Sequence, residues 1–212
     1  MRRRFRWVGV VAGALLTWSG ATLAQAARDI DPADMFILVE PTAMIDAQKV
    51  KLKDEGRLSD ANMPIYRPLV GDLVEMLAID HQDKLEIPQL WMFTNIFKDG
   101  QDKTWVMALR NTSYITEPVQ IKTDDDGMLV VTSIRGPVSS VLLEDQIWST
   151  RQFQGNGDIV VLVDQRGLLV GHTRNPKQLR ELKKGVALGA DDPNLLAKTL
   201  LVRRDGHWQV YP

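Results

Sequence analysis

Hydrophobic positions along the chain come first as an unbroken run near the N-terminus, then in one strand-like and two helix-like segments, then in β-prone stretches divided by turn residues. Asp34-Met35-Phe36-Ile37-Leu38-Val39-Glu40 is a short apolar run stopped by Pro41, the pattern of a buried strand. A helix is expected to follow. Thr42 and Asp46 suit its N-terminus, Lys49, Lys51 and Lys53 gather in the later turns where a helix end is partially negative, and Gly56 closes the run. Ser59 to Pro64 reads as a polar linker. Beyond it Leu69, Val70, Leu73 and Leu77 fall on one stripe, widened by Val74 and Met76, and Pro68 is tolerated in a first turn. The spacing predicts a helix over 68–80, laid on a sheet.

From Leu85 to Arg174 the pattern becomes one of strands. The run Pro88 to Phe97, the turn Asp99-Gly100 and the run Thr104-Trp105-Val106-Met107-Ala108-Leu109 read as a hairpin, because Asp-Gly accepts the positive φ of a tight turn. Asp126-Gly127, between Val119-Gln120-Ile121 and Met128-Leu129-Val130-Val131, repeats the device, as does Asp205-Gly206 between Thr199 to Val202 and His207 to Tyr211. Gly155-Asn156-Gly157 and Gln165-Arg166-Gly167 supply two more turn signals. Asn175-Pro176 opens a helix over 177–184 that Gly185 ends, and Asp192 to Ala197 adds one more helical turn.

Closely spaced turns between short strands imply antiparallel neighbours, since parallel ones need long crossovers. The expected class is therefore α+β: one curved antiparallel sheet, a hairpin-rich meander, packed with N-terminal helices and one near the C-terminus. The expected organisation is a signal peptide over 1–26, a lead-in strand and helix over 27–64, and an antiparallel-sheet unit over 65–212, with 27–212 forming one domain.

The N-terminus changes the picture. Arg2, Arg3, Arg4 and Arg6 precede the apolar run Trp7 to Leu16, and Leu23-Ala24-Gln25-Ala26 places small residues at the −3 and −1 subsites of a signal peptidase cutting before Ala27. Arg2-Arg3-Arg4-Phe5 shares the order of the twin-arginine export signal. Met1 stands where a Ser or Thr usually precedes that pair, which favours the general route. The chain has no Cys, so it offers no bacterial lipid-anchor site and forms no disulfide. Removing the four arginines leaves 22 Lys+Arg against 27 Asp+Glu, a net charge of −5. Such a balance gives no general attraction to phosphate backbones or anionic lipid. The expected location is the periplasm, with no nucleic-acid partner and with membrane contact only through an uncleaved signal segment.

Candidate chemistry is sparse. Asp124-Asp125-Asp126 lacks the alternating acid spacing of a calcium loop and reads as a solvated hairpin tip. His81, His172 and His207 are too far apart in sequence to form a metal-ligand spacing, and Ser139-Ser140 is not a nucleophile elbow. The sequence singles out no catalytic residue, no metal ligand and no cofactor, and leaves the ligand- or partner-binding residues unassigned. Trp91, Trp105, Trp148 and Trp208 lie in strand-like runs, where sheet core is the default and ligand contact the alternative.

Two short stretches resemble known families. Thr199-Leu200-Leu201-Val202-Arg203-Arg204-Asp205-Gly206-His207-Trp208-Gln209-Val210 resembles the closing hairpin of nuclear-transport-factor-2-like domains, which implies a cone-shaped cavity used by enzymes, ligand binders and secretion scaffolds. Ile159 to Thr173, with Asp164-Gln165-Arg166-Gly167 and His172, looks like the central hairpin of Cache-type extracytoplasmic sensors. The preferred expectation is an exported protein that acts by non-covalent binding. It would serve as an accessory or assembly factor of an envelope or secretion system, or as a small-ligand carrier. An assembly factor would use a sheet edge or the 68–80 helix, and a carrier an aromatic-lined concave face. The alternatives are a nuclear-transport-factor-2-like enzyme with a cavity acid/base residue and a Cache-like sensor.

Overall fold

A computed structural model describes residues 34–80, 85–90, 101–124, 127–134 and 136–212. The expected signal segment at 1–26, His81, Trp91, Asp99-Gly100, Asp125 and Asp126 lie outside them. The class is α+β, with two antiparallel sheets in place of the single curved one expected. In the first sheet β1 (Met35–Pro41) pairs with β3 (Leu73–Asp80), which pairs in turn with β2 (Tyr66–Val70) and with the short β4 (Leu85–Glu86). The second sheet has six strands in the order β10-β9-β7-β8-β6-β5: β5 (Val119–Thr123), β6 (Leu129–Ser133), β7 (Ile159–Asp164), β8 (Gly167–His172), β9 (Leu201–Arg204) and β10 (His207–Val210). Among the described residues four α-helices accompany them: α1 (Thr42–Asp54), α2 (Gln101–Thr116), the single turn α3 (Asp145–Trp148) and α4 (Pro176–Leu188).

The expected strand at 34–40 and the helix after it are present as β1 and α1, with Lys51 and Lys53 in the last turn and Gly56 at φ +66° beyond it. The hairpins at Asp126-Gly127, Gln165-Arg166-Gly167 and Asp205-Gly206 join β5 to β6, β7 to β8 and β9 to β10. Asp205 at φ 50° and Gly206 at φ 81° supply the paired left-handed residues of a tight hairpin turn.

The 68–80 segment is not a helix. It is the β2–β3 hairpin, turning at Gly71 (φ +59°) and Asp72, with Pro68 on an edge strand where its missing N–H costs nothing. The apolar run of β3 suits both periods because both its faces are buried. Leu77 and Ile79 pack with Met35, Ile37, Trp105 and Ala108, while Val74, Met76 and Ala78 pack with Phe36, Leu38, Ile45 and Leu52. The 104–109 segment is not a strand either, but the heart of α2. Gly155-Asn156-Gly157 links a 3-10 turn at 151–153 to β7 and joins no hairpin. Accordingly Trp105 and Trp148 sit on helices and, of the described tryptophans, Trp208 alone lies in a strand.

Gly185 does not end α4, which runs on to Leu188. A Cβ at Gly185 would lie 2.8 Å from Leu162 Cδ1, so the glycine permits close approach of helix to sheet. Asp192 to Ala197 forms no helical turn, because this stretch bonds to β7 instead: Gln165 N donates to Asn194 O (2.8 Å) and Leu196 N to Val163 O (3.0 Å).

The six-stranded sheet is covered on both faces. Val160, Leu162, Leu200 and Val202 face α4 through Leu182, whereas Val131, Val161, Val163, Val170 and Leu201 face Val138, Val141, Leu142, Trp148 and Phe153. Val39 and Leu73 of the first sheet join this second core. Asp72 ties the sheets further: its carbonyl accepts from Thr42 N (2.7 Å), and its Oδ2 accepts from Lys198 N (3.1 Å).

Candidate docking groove

Helix α2 positions the site because it lies along the free edge of β1. That strand is fully buried, so its outward backbone groups must find partners inside the protein. Ile37 N donates to Thr112 Oγ1 (2.9 Å), Val39 N donates to Ser140 Oγ (3.3 Å), and Met35 O accepts from Asn111 Nδ2 (2.9 Å). Hydroxyls and an amide thus complete a sheet edge where another strand would otherwise sit.

This arrangement reverses the usual polarity of a packed helix. The buried face of α2 carries Thr104, Trp105, Ala108, Thr112 and Thr116, whose spacing is helical, and Thr112 and Thr116 return their own protons to Ala108 O and Thr112 O. The opposite face carries Val106 at 68% exposure, Met107, Leu109 and Tyr114 at 65%. Of these side chains Tyr114 lines a shallow groove of about 520 Å³ together with Glu117, Pro118, Val119 and Ile147, where α2 passes through the cis Glu117–Pro118 bond into β5.

Glu144, one turn before Ile147, sits between α2 and α3. Its Oε2 accepts from Ser113 Oγ (2.7 Å), and its buried Oε1 has no hydrogen-bond partner. Burial pushes this carboxyl above its ordinary range. The Ser113 and Thr116 hydroxyls oppose that rise, and the negative charges of Glu117 and Asp145 add to it. Asp145 is paired with Arg203 Nη2 at 2.8 Å. The carboxylate that lines the groove is that of Glu117, and Glu144 is not among the lining residues.

The residues singled out by the sequence lie elsewhere and do not converge. Ser140 is spent on Val39 N, and Asp124 Oδ1 accepts from Met128 N (2.8 Å) inside its own hairpin. His207 is exposed on β10, whereas His172 is buried. The His172 ring lies between Gln178 Oε1 and Phe153 O, 3.1 Å from the latter, and packs on Gly155. Asp164 holds its own turn by accepting from Arg166 N (2.8 Å) and binding the guanidinium through both oxygens, while Asp192 takes the other side of Arg166 at 3.0 Å. The Asp-x-x-Gly turn and His that carry the Cache-type likeness therefore have local structural roles.

Trp148 and Trp208 meet edge to face with centroids 5.0 Å apart, and Phe153 lies 4.9 Å from Trp148. Both indole N–H groups donate to the 3-10 turn at 138–143, at Val141 O and Leu142 O. These aromatics are core, not the wall of a cavity. Among the described residues no group of three or more His, Asp or Glu is placed to hold a metal ion, and no helix is long and apolar enough to cross a membrane.

Two buried acids stand apart from the groove. Glu75, on β3, accepts from Arg67 Nε, whose guanidinium lies 4.4 Å over the Trp105 ring. Glu40, at the end of β1, is 8% exposed with no partner for Oε2, and burial raises its pKa to about 7.

The α2 face and groove were hidden from pattern reading because Thr104, Thr112 and Thr116 point inward beside Trp105 while Val106, Met107 and Tyr114 point outward; the small or hydroxyl residues at 104, 108, 112 and 116, four apart, were the sequence signal for the helix. Comparison of the chain with family models, with curated proteins and with solved structures finds no match.

Proposed function

We propose that this is an exported protein that acts by non-covalent docking to a protein of the cell envelope, through the outer face of α2 and the groove leading to β5. The observation that carries the reading is Tyr114, 65% exposed on the outer face of α2 and lining a groove with Pro118, Val119 and Ile147, with Val106 and Met107 exposed about two turns earlier on the same helix. A helix that places Thr112 and Asn111 on a buried strand edge leaves large apolar side chains in water, and exposed apolar surface of this kind marks an interaction site. The packed Trp148–Phe153–Trp208 cluster supports the docking reading over a carrier that would line a concave face with those rings. Export rests on the cationic, apolar and small-residue layout of residues 1–26.

The test is affinity capture from an envelope extract with immobilised wild-type protein and with a Val106→Ser/Tyr114→Ser variant. Both positions are exposed, so the variant keeps its fold. The reading predicts an envelope protein retained by the wild type and lost by the variant. Equal retention by both would overturn it.

A further inference from the structure

We propose that Asn156 is a site of spontaneous covalent modification, where the Asn156–Gly157 linkage rearranges through a cyclic imide to aspartate or isoaspartate and loosens the corner that holds His172.

The rearrangement needs an asparagine whose side chain is free to turn back on the chain and a following N–H that is not already engaged. Asn156 meets both conditions, and the other described asparagines do not. Its side chain is exposed and makes no hydrogen bond among the described residues. By contrast Asn62 Nδ2 donates to Arg57 O (2.6 Å), Asn111 Nδ2 to Met35 O (2.9 Å) and Asn194 Nδ2 to Asp192 Oδ1 (2.8 Å), while Asn175 Oδ1 accepts from Gln178 N (3.2 Å). The following nitrogens divide in the same way. Met63 N donates to Asp60 O (3.1 Å) and Leu195 N to Asp192 O (3.0 Å), Thr112 lies inside α2, and Pro176 has no N–H. Gly157 N has no acceptor among the described residues, and its glycine brings no side chain to shield it. Asn156-Gly157 is also the only Asn-Gly pair in the sequence.

The chemistry requires only water. Gly157 N gives up its proton to water or hydroxide and attacks Asn156 Cγ; the new N–C bond closes the imide as the Cγ–Nδ2 bond breaks, and ammonia leaves with a proton from water. A water molecule then opens the ring. Cleavage of the bond from Gly157 N to Cγ gives aspartate, whereas cleavage of its bond to the backbone carbonyl carbon gives isoaspartate, in which the chain runs through Cβ and Cγ. Either way one amide and one water become one carboxylate and one ammonia. The loop has no room for the longer backbone of isoaspartate. Asn156 O accepts from Arg174 N (3.1 Å), a Cβ on Gly155 would collide with the His172 ring, and one on Gly157, at φ +100°, with Thr173 Oγ1. With an added backbone carbon between Gly155 and Gly157 these contacts are not all kept, and the His172 ring, set between Phe153 O and Gln178 Oε1, loses its packing.

The test is storage of the purified protein at mildly alkaline pH beside an Asn156→Gln variant. The replaced side chain is exposed and unbonded, so the variant keeps its fold, and its longer side chain must close a larger ring. Peptide mapping by mass spectrometry, with enzymatic methylation of isoaspartyl carboxyls, locates the conversion, and thermal melting follows its consequence. Asn156 is expected to convert at least about tenfold faster than each of Asn62, Asn111, Asn175 and Asn194, with isoaspartate among the products. Stored wild type should melt about 3 °C or more below fresh protein, while stored Asn156→Gln should melt as it did when fresh. An unchanged Asn156, or conversion at another of those asparagines at an equal rate, would overturn the assignment of the site. Isoaspartate at 156 with unchanged melting, or an equal fall in melting for wild type and variant, would overturn the loosening of the His172 corner.

Discussion

Glu40 offers a measurement of how tightly the first sheet is closed. Its carboxyl lies at the β1–α1 junction, directly across the ladder from Val74 and two residues from Leu38 on the same face, and burial holds its pKa at about 7 against an ordinary 4.5. A carboxyl with a raised folded-state pKa binds its proton more firmly in the folded protein than in the unfolded chain. It contributes stability that is fully present below about 4.5 and is lost as pH rises through about 7. The interval between those two values corresponds to about 3 kcal/mol of stability lost by pH 8. Glu40→Met replaces the acid with an apolar side chain of similar length among apolar neighbours. Urea denaturation followed by tryptophan fluorescence should find the variant about 3 kcal/mol more stable than wild type at pH 8 and nearly equal to it at pH 5. Other titrating groups, Glu144 included, are common to both proteins and cancel in the difference. Parallel pH profiles for the two proteins would refute the assignment of a dry, unpartnered carboxyl at this position.

Three further outcomes follow from the same geometry. Thr112→Val keeps the shape of the side chain but leaves Ile37 N–H without an acceptor at the sealed β1 edge; chemical denaturation should record a loss of about 1–3 kcal/mol, and Thr112→Ser, which keeps the hydroxyl, should lose less. Gly155→Ala would bring a Cβ to 2.2–2.5 Å from three atoms of the buried His172 ring; the ring must move and break its contacts with Phe153 O and Gln178, and thermal melting should show destabilisation of about 2 kcal/mol or more. N-terminal sequencing of protein recovered from the envelope compartment should begin at Ala27, and a mature chain beginning at Met1 would contradict export with cleavage.

What the sequence made legible was the part of the fold governed by local rules. Asp205-Gly206 and Gly127 mark hairpins because only certain residues accept the positive φ of the turn, and Asn175-Pro176 opens α4 with the Asn side chain accepting from Gln178 N. Elements whose burial is set by distant partners could not be read in this way. The run of β3 has both faces covered, so its period was ambiguous and the stripe of leucines imitated a helix. Helix α2 was concealed more deeply. Its inward Thr112 answers the need of Ile37 N–H on β1, some 75 residues earlier, and no window on the helix's own sequence contains that demand. Gly185 imitated a helix stop for a similar reason, since it is glycine on account of Leu162 across the interface and not on account of its own backbone. The candidate site inherits this opacity, because Tyr114 in its wall stands on the outer face of α2.

Site-specific photo-crosslinking tests the central claim most directly. A benzophenone side chain introduced at Tyr114, on the groove, and separately at Lys184, on the exposed side of α4, is irradiated in an envelope extract, and the adducts are identified by mass spectrometry. The account predicts a discrete adduct with one envelope protein from position 114 and none from position 184. No adduct at 114, or the same adducts from both positions, would contradict it.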